Sequence, residues 1–260
     1  LQDRVVSWLY YADRLFQLPL GVIGVAIGVV LLPTLSHKLR SGDHAAVLAS
    51  ENRALEFALL LTLPATVALF LAAEPIMRVL FERGAFTAAD TEATAAMLAA
   101  LALGLPAYIL IKVLHPSFFA REDTKTPMLF AGIAMAANAA LSFALFVVLG
   151  AVGIALATTL SGWINVALLV TELKRRAEFV LDEAFRRAFL GIVLASLAMG
   201  LAVWWLTDGL EPWFAPKRGI VVQGLALIAL IATGLLTYLA AGTLFGAMKP
   251  RTLLKDLLGR

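Results

Sequence analysis

The placement of charges limits this chain more than any other feature. Marking every Asp, Glu, Lys and Arg leaves uncharged runs at residues 15–36, 57–73, 93–111, 126–171, 188–207 and 219–248. A helix crosses the hydrocarbon of a bilayer with about 20 mostly apolar residues. The fourth run is 46 residues long, too many for one crossing. Gly150-Ala151-Val152-Gly153 is the natural place for a turn, dividing it into 126–149 and 153–171. Seven spans result, A to G. A water-soluble chain would need seven successive helices without a polar face. Composition agrees: 61% of residues are apolar, 15% are charged and mean hydropathy is +0.90, whereas globular chains carry about 25% charge. The expected fold is all-α, a polytopic transmembrane helical bundle.

Orientation follows from Lys and Arg, which cytoplasmic loops retain. The A–B, C–D and E–F loops and the C-terminal tail hold three, three, five and four bases. The segment before A and the B–C, D–E and F–G loops hold two, two, none and two. The richer set is expected inside, with the C-terminus cytoplasmic and Leu1 on the outer side. The first Met is Met77, and an odd number of spans starting outside implies at least one earlier crossing. The chain therefore reads as part of a longer protein. A net charge of +3 gives no reason to expect nucleic acid as a partner.

Span A carries the most information. Val5 to Ala12 is apolar and unbroken, so a helix from Val5 to Ser36 would run about 48 Å, beyond the roughly 30 Å of hydrocarbon. Trp8, Tyr10 and Tyr11 suit an interfacial belt, which places Asp13 and Arg14 at or below the headgroups. An Arg at mid-bilayer costs at least about 2.5–3.5 kcal/mol unless it meets water or a partner. Arg14 either lines a polar cavity or snorkels to lipid phosphates. Gly21, Gly24 and Gly28 recur at helical spacing, and Gly24–Gly28 is a small-xxx-small pair that permits close helix approach. Pro19, Pro64 and Pro106 are expected to kink or interrupt A, B and C, as hinges in a transporter would.

Elsewhere, Thr87-Ala88-Ala89-Asp90 fits a helix start with a capping-box variant, after a Gly-capped end at Arg83-Gly84. The E–F loop, with five bases and interspersed Phe179, Val180, Leu181 and Phe185, reads as an amphipathic helix on the inner surface. Each base near anionic lipid would contribute about 1 kcal/mol, making such lipids expected partners. In D and E, Asn138, Ser142, Thr158, Thr159, Ser161 and Asn165 are either interhelical glue or a cation site. No Cys is present, so thiolate sites are excluded. His37, His44 and His115 have no ligand spacing. P-loop, H-E-x-x-H and G-x-S-x-G motifs are missing. Nothing in the sequence points to an enzyme or a bound cofactor.

Ser7-Trp8-Leu9-Tyr10-Tyr11-Ala12-Asp13-Arg14-Leu15, Leu18-Pro19-Leu20-Gly21-Val22-Ile23-Gly24 and Leu31-Leu32-Pro33-Thr34-Leu35-Ser36 strongly resemble the MviN/MurJ family of bacterial lipid II flippases. Phe81-Glu82-Arg83-Gly84-Ala85-Phe86-Thr87, Phe118-Phe119-Ala120-Arg121, Asp123-Thr124-Lys125-Thr126-Pro127 and Gly153-Ile154-Ala155-Leu156-Ala157-Thr158 extend the likeness. Matches cover nearly the first two thirds of the chain, and the rest agrees in hydropathy and loop length.

The resemblance implies the C-terminal half of a fourteen-helix protein, helices eight to fourteen, within the multidrug/oligosaccharidyl-lipid/polysaccharide exporter superfamily. Residues 1–171 would form the transport lobe, 172–187 a cytoplasmic amphipathic linker, and 188–260 two extra helices forming a lipid-tail groove. The implied partners are lipid II and the N-terminal half of the same protein. The implied location is the bacterial inner membrane. Substrate would cross by alternating access, coupled to sodium, protons or membrane potential rather than to ATP. Arg14 stands at the position of a family cavity arginine and would grip the substrate diphosphate, with Asp13 and Gln17 beside it. Asn138, Ser142, Ile154 (through its carbonyl) and Thr158 would be the counterparts of a sodium site found in some members. Ser142 replaces a carboxylate there, and a neutral hydroxyl is a weak ligand for a hard cation. A polysaccharide-repeat or drug exporter of the same superfamily, and a non-transporting scaffold for lipid-linked precursors, are the alternative functions.

Overall fold

The computed structural model describes residues 2–247; Leu1 and the tail bases Lys249, Arg251, Lys255 and Arg260, used for orientation, lie outside the described residues. Nine α-helices and two 3-10 turns, without strands, are found among the described residues. They are α1 (Gln2–Arg40), α2 (His44–Leu71), α3 (Ala73–Phe81), α4 (Ala88–Ala102), α5 (Leu105–Phe119), α6 (Lys125–Leu149), α7 (Ala151–Arg175), α8 (Glu183–Leu210) and α9 (Gly219–Leu244). Seven units, α4 and α5 counted together, are long and apolar enough to cross a membrane. They correspond in order to spans A to G. This is an all-α, multi-pass membrane bundle.

Helix boundaries follow local chemistry. The α6–α7 turn is a single residue, Gly150, with φ +58°, a conformation that favours glycine because it has no Cβ. Thr87 caps α4: its hydroxyl accepts the Asp90 N–H, and the Asp90 carboxylate accepts the Thr87 N–H at 2.8 Å, closing the capping box. The prolines expected to kink or interrupt spans A to C occupy different settings. α1 continues across Pro19 and Pro33, and α2 across Pro64; neighbouring helices and local adjustment make interior prolines tolerable in membrane helices. Breaks fall instead at Ala72 and at Leu103–Gly104. Pro106 is the second residue of α5, where its missing N–H would have had no intrahelical partner.

The E–F segment also corrects the sequence reading. It is no amphipathic helix. α7 ends at Arg175 and α8 starts at Glu183, and Ala177 adopts φ +56° between them. Asp182 caps α8 by accepting the Phe185 N–H. Phe179 and Leu181 pack inward against the cores formed by α1, α2, α5 and α7. Backbone fixed by tertiary contacts has replaced a helical repeat.

Two ends can be distinguished by charge. The base-rich end carries residues 41–43, 120–124 and 176–182 with the bases of the helix ends beside them, Lys38, Arg40, Lys125, Lys174, Arg175, Arg186 and Arg187, and the base-poor end carries residues 82–87, Gly150 and 211–218. α1 packs on α2, α4 and α5; α7 packs on α4 and α5; α6 lies chiefly along α7. α8 and α9 pair with one another and sit on α2 and α3, where the Tyr238 hydroxyl donates to the Leu60 carbonyl at 2.6 Å.

Candidate substrate site

α1 has two faces. Ala12, Leu15, Phe16, Ile23 and Ile27 are buried against the bundle, whereas Tyr10, Arg14, Gln17, Leu18, Gly21, Val22 and Val25 are exposed. The 3.6-residue repeat puts this second set along one stripe. At its base-poor end, the Trp8 indole donates to Asp90 Oδ1 at 2.9 Å, tying α1 to the first turn of α4. Arg14 lies six residues further on, about 9 Å along the helix axis.

Arg14 has no carboxylate partner among the described residues. Its guanidinium instead stacks over the Tyr10 ring, 4.6 Å from the centroid, an attraction of about 0.5–1 kcal/mol at an exposed position. The adjacent Asp13 carboxylate accepts a hydrogen bond from the Gln17 amide. Acid and base are thus held by different neighbours, and the guanidinium fork stays open to a ligand.

Lys112, one of the three bases assigned by sequence to the C–D loop, lies inside α5, seven residues before its end. Its alkyl stem crosses α1 at Gly24, where a Cβ would come within 2.4 Å of Lys112 Cδ. Gly24 therefore makes room for a side chain. It does not mediate the backbone approach that the small-xxx-small spacing suggested. Gly21 faces open space, and Gly28 lies outside the residues whose surroundings are described. Lys112 adds a second cation beside the open face of α1, a feature hidden by its position next to a predicted loop.

The four predicted cation-site residues lie on two helices packed against each other, Asn138 and Ser142 on α6 and Ile154 and Thr158 on α7. Ser142 donates to Asn138 Oδ1 at 3.2 Å within α6, and Thr158 donates to the Ile154 carbonyl at 3.0 Å within α7. The Thr158 carbonyl already accepts from the Tyr108 hydroxyl at 3.1 Å and the Ser161 hydroxyl at 2.8 Å. None of the four side chains is a carboxylate, the ligand type that binds a hard cation most strongly.

Two further clusters are built from residues that the sequence did not single out as groups. Between α2, α3, α8 and α9 lies an apolar cavity of about 350 Å³, lined by Leu60, Pro64, Val203, Leu230 and Tyr238 among others. At the base-rich end, Arg121 bonds Glu178 at 3.0 Å and faces the buried Glu51 at 3.7 Å. Asn52 donates to the Val180 carbonyl and accepts the Asp182 N–H. Arg176 pairs with Asp123 at 2.8 Å and with Glu172 at 2.7 Å. The Thr126 N–H and hydroxyl beside Asp123, helped by Arg176, hold its carboxyl down at about 2, and the hydrogen bond to Glu172 pushes the Arg176 guanidinium up.

A helical bundle of this kind, with interrupted spans and an unpaired cation on an open helix face, has the architecture of a membrane transporter lobe. A solved transporter matches it: "Inward-facing conformation of a multidrug resistance MATE family transporter of the MOP superfamily", TM-score 0.53, 18% identity, covering 91% of this chain and 56% of that one. That likeness concerns the fold. The family model described as "Lipid II flippase MurJ" matches residues 1–218, and the chain belongs to that family. The "Probable lipid II flippase MurJ" of Rhizobium tropici is 43% identical over 247 residues, covering 95% of this chain and 46% of the relative. The protein of the same name from Rhizobium meliloti (strain 1021) is 43% identical over 239 residues, covering 92% and 45%. The chain spans about half the length of these curated relatives.

Proposed function

We propose that this chain is the C-terminal half, helices eight to fourteen, of a lipid II flippase. The whole protein would carry undecaprenyl-diphosphate-linked muropeptide from the inner to the outer leaflet of the bacterial cytoplasmic membrane by alternating access. The base-rich end faces the cytoplasm in this reading, and an N-terminal half completes the cavity. The observation that carries it is the pairing of family membership over residues 1–218 with an Arg14 guanidinium that is exposed, free of carboxylates and steadied by Tyr10. Arg offers a planar fork that suits phosphate oxygens bidentately, which Lys cannot reproduce. Asp13 and Gln17, bonded to each other, flank that fork. The apolar cavity between α2 and α9 suits the isoprenoid tail.

Energy would come from membrane potential or from a sodium or proton gradient, with Asn138, Ser142, Ile154 and Thr158 as the residues of this half that a sodium ion would meet. The chain itself would act as a transporter without covalent chemistry. An exporter of drugs or polysaccharide repeats is the second reading, favoured by the multidrug transporter of similar fold. The test is lipid II flipping and binding by the full-length protein in proteoliposomes. Charge-assisted hydrogen bonds contribute about 1.5–3 kcal/mol, so Arg14→Ala should slow flipping by about ten- to a hundredfold, and Arg14→Lys should recover little of it. Flipping that survives both substitutions would remove Arg14 from the mechanism. Transport of a drug without binding of lipid II would favour the second reading.

A further inference from the structure

Of the five bases between residues 174 and 187, three are engaged. Arg175 and Arg176 both bond Glu172, Arg176 also reaches Asp123, and Arg187 pairs with Glu183. Lys174 and Arg186 make no ion pair or side-chain hydrogen bond among the described residues. These two line the same groove. It has a volume of about 490 Å³ and lies between α2, α5, α7, α8 and residues 176–182. Apart from the two cations its lining is wholly Leu, Val and Phe, including Leu59, Leu114, Val170, Phe179 and Phe189.

We propose that this groove binds an anionic phospholipid, with acyl chain against the apolar lining and phosphate between Lys174 and Arg186. A soluble anion would have no use for a hydrocarbon lining, and a neutral lipid would leave two unneutralised cations at its edge. The exposed Phe189 and Leu190 open the groove toward the hydrocarbon, and its size falls within the range of small-ligand sites. The contrast with the cavity between α2 and α9 is instructive. That cavity is lined by no charged residue and has nothing to select a headgroup. The proposal needs only that the chain lies in a bilayer, so it stands or falls separately from flipping.

The experiment is native mass spectrometry of the full-length protein with phosphatidylglycerol and with phosphatidylcholine of identical chains. The unmodified protein should retain phosphatidylglycerol preferentially. The Lys174→Gln/Arg186→Gln double variant should weaken that retention by about ten- to thirtyfold, the effect expected of two cations near a lipid surface. The Arg175→Gln/Arg187→Gln pair, which removes two exposed and already neutralised bases, should leave it within about twofold. Val170→Trp should lower retention with both cations intact, because it fills the groove; thermal unfolding of each variant without added lipid serves as the folding control. Inorganic phosphate should not displace the lipid. Equal loss in both double variants would reduce the effect to diffuse surface charge and overturn the proposal. Unchanged retention in the Lys174/Arg186 and Val170 variants would overturn it too, as would displacement of the lipid by undecaprenyl phosphate.

Discussion

At the base-poor end, the short loop between α3 and α4 carries a local capping box at Thr87 and Asp90 and is held from α1 by an indole hydrogen bond from Trp8 and by Tyr11 packed with Phe81 and Phe86 at 4.8 and 5.5 Å. At the base-rich end the ties run between residues far apart in the chain. Arg121 reaches Glu51 and Glu178, Arg176 reaches Asp123, and Asn52 holds the backbone at Val180 and Asp182. At the first end the capping box would half-form in a peptide, and the aromatic and indole contacts need only α1 laid beside it. The second exists only once α2, α5 and α7 have assembled. The difference teaches where each end is vulnerable: single substitutions should cost most where a buried charge loses a distant partner.

The largest effect is expected for Arg121→Ala. Glu51 is 5% exposed, and removing its counter-ion leaves a buried carboxylate unpaired, a loss of about 3–5 kcal/mol. Thermal unfolding in detergent should show it, and the additional change Glu51→Gln should restore part of the stability. A melting temperature unmoved by Arg121→Ala would erase the contrast between the ends. Thr87→Ala should cost about 1 kcal/mol, the usual worth of an N-cap, with faster amide exchange confined to the first turn of α4.

The smallest effect concerns pH. Because the folded Asp123 carboxyl sits at about 2, below its ordinary value near 4, its contribution is fully present above that ordinary value and is lost as pH falls through about 2. The stability gap between the unmodified protein and Asp123→Asn should therefore close between pH 4 and pH 2. A gap that stays constant over that range would mean that Asp123 contributes nothing through its charge.

Much of the architecture could be read from residues alone. Seven apolar runs, the turn at Gly150 and the cap at Thr87 are local in sequence, and the structure has each of them. What could not be read depended on distance. Nothing near Glu51 announces Arg121, 70 positions away, and nothing in residues 176–182 announces that Asn52 will hold them extended. The prolines show the same dependence: a proline weakens a helix, but packing decides whether the helix runs on, as across Pro19, Pro33 and Pro64, or breaks, as at Leu103–Gly104 just before Pro106, the second residue of α5. At the candidate site, Arg14 stood out because it sits in an apolar run. Lys112 did not, because only folding lays its stem across Gly24.

Along α6, Met128, Met135, Phe143, Val147 and Val148 all project away from the protein, each more than 70% uncovered. In water that surface would be a liability, since large exposed apolar patches aggregate. Acyl chains can cover it as well as a protein partner could, because lipid tails are as apolar as the side chains they meet. The core of this molecule thus continues past its own atoms, and the fatty medium outside supplies the last layer of its interior. Delipidation would therefore remove part of what solvates the fold, beginning at α6.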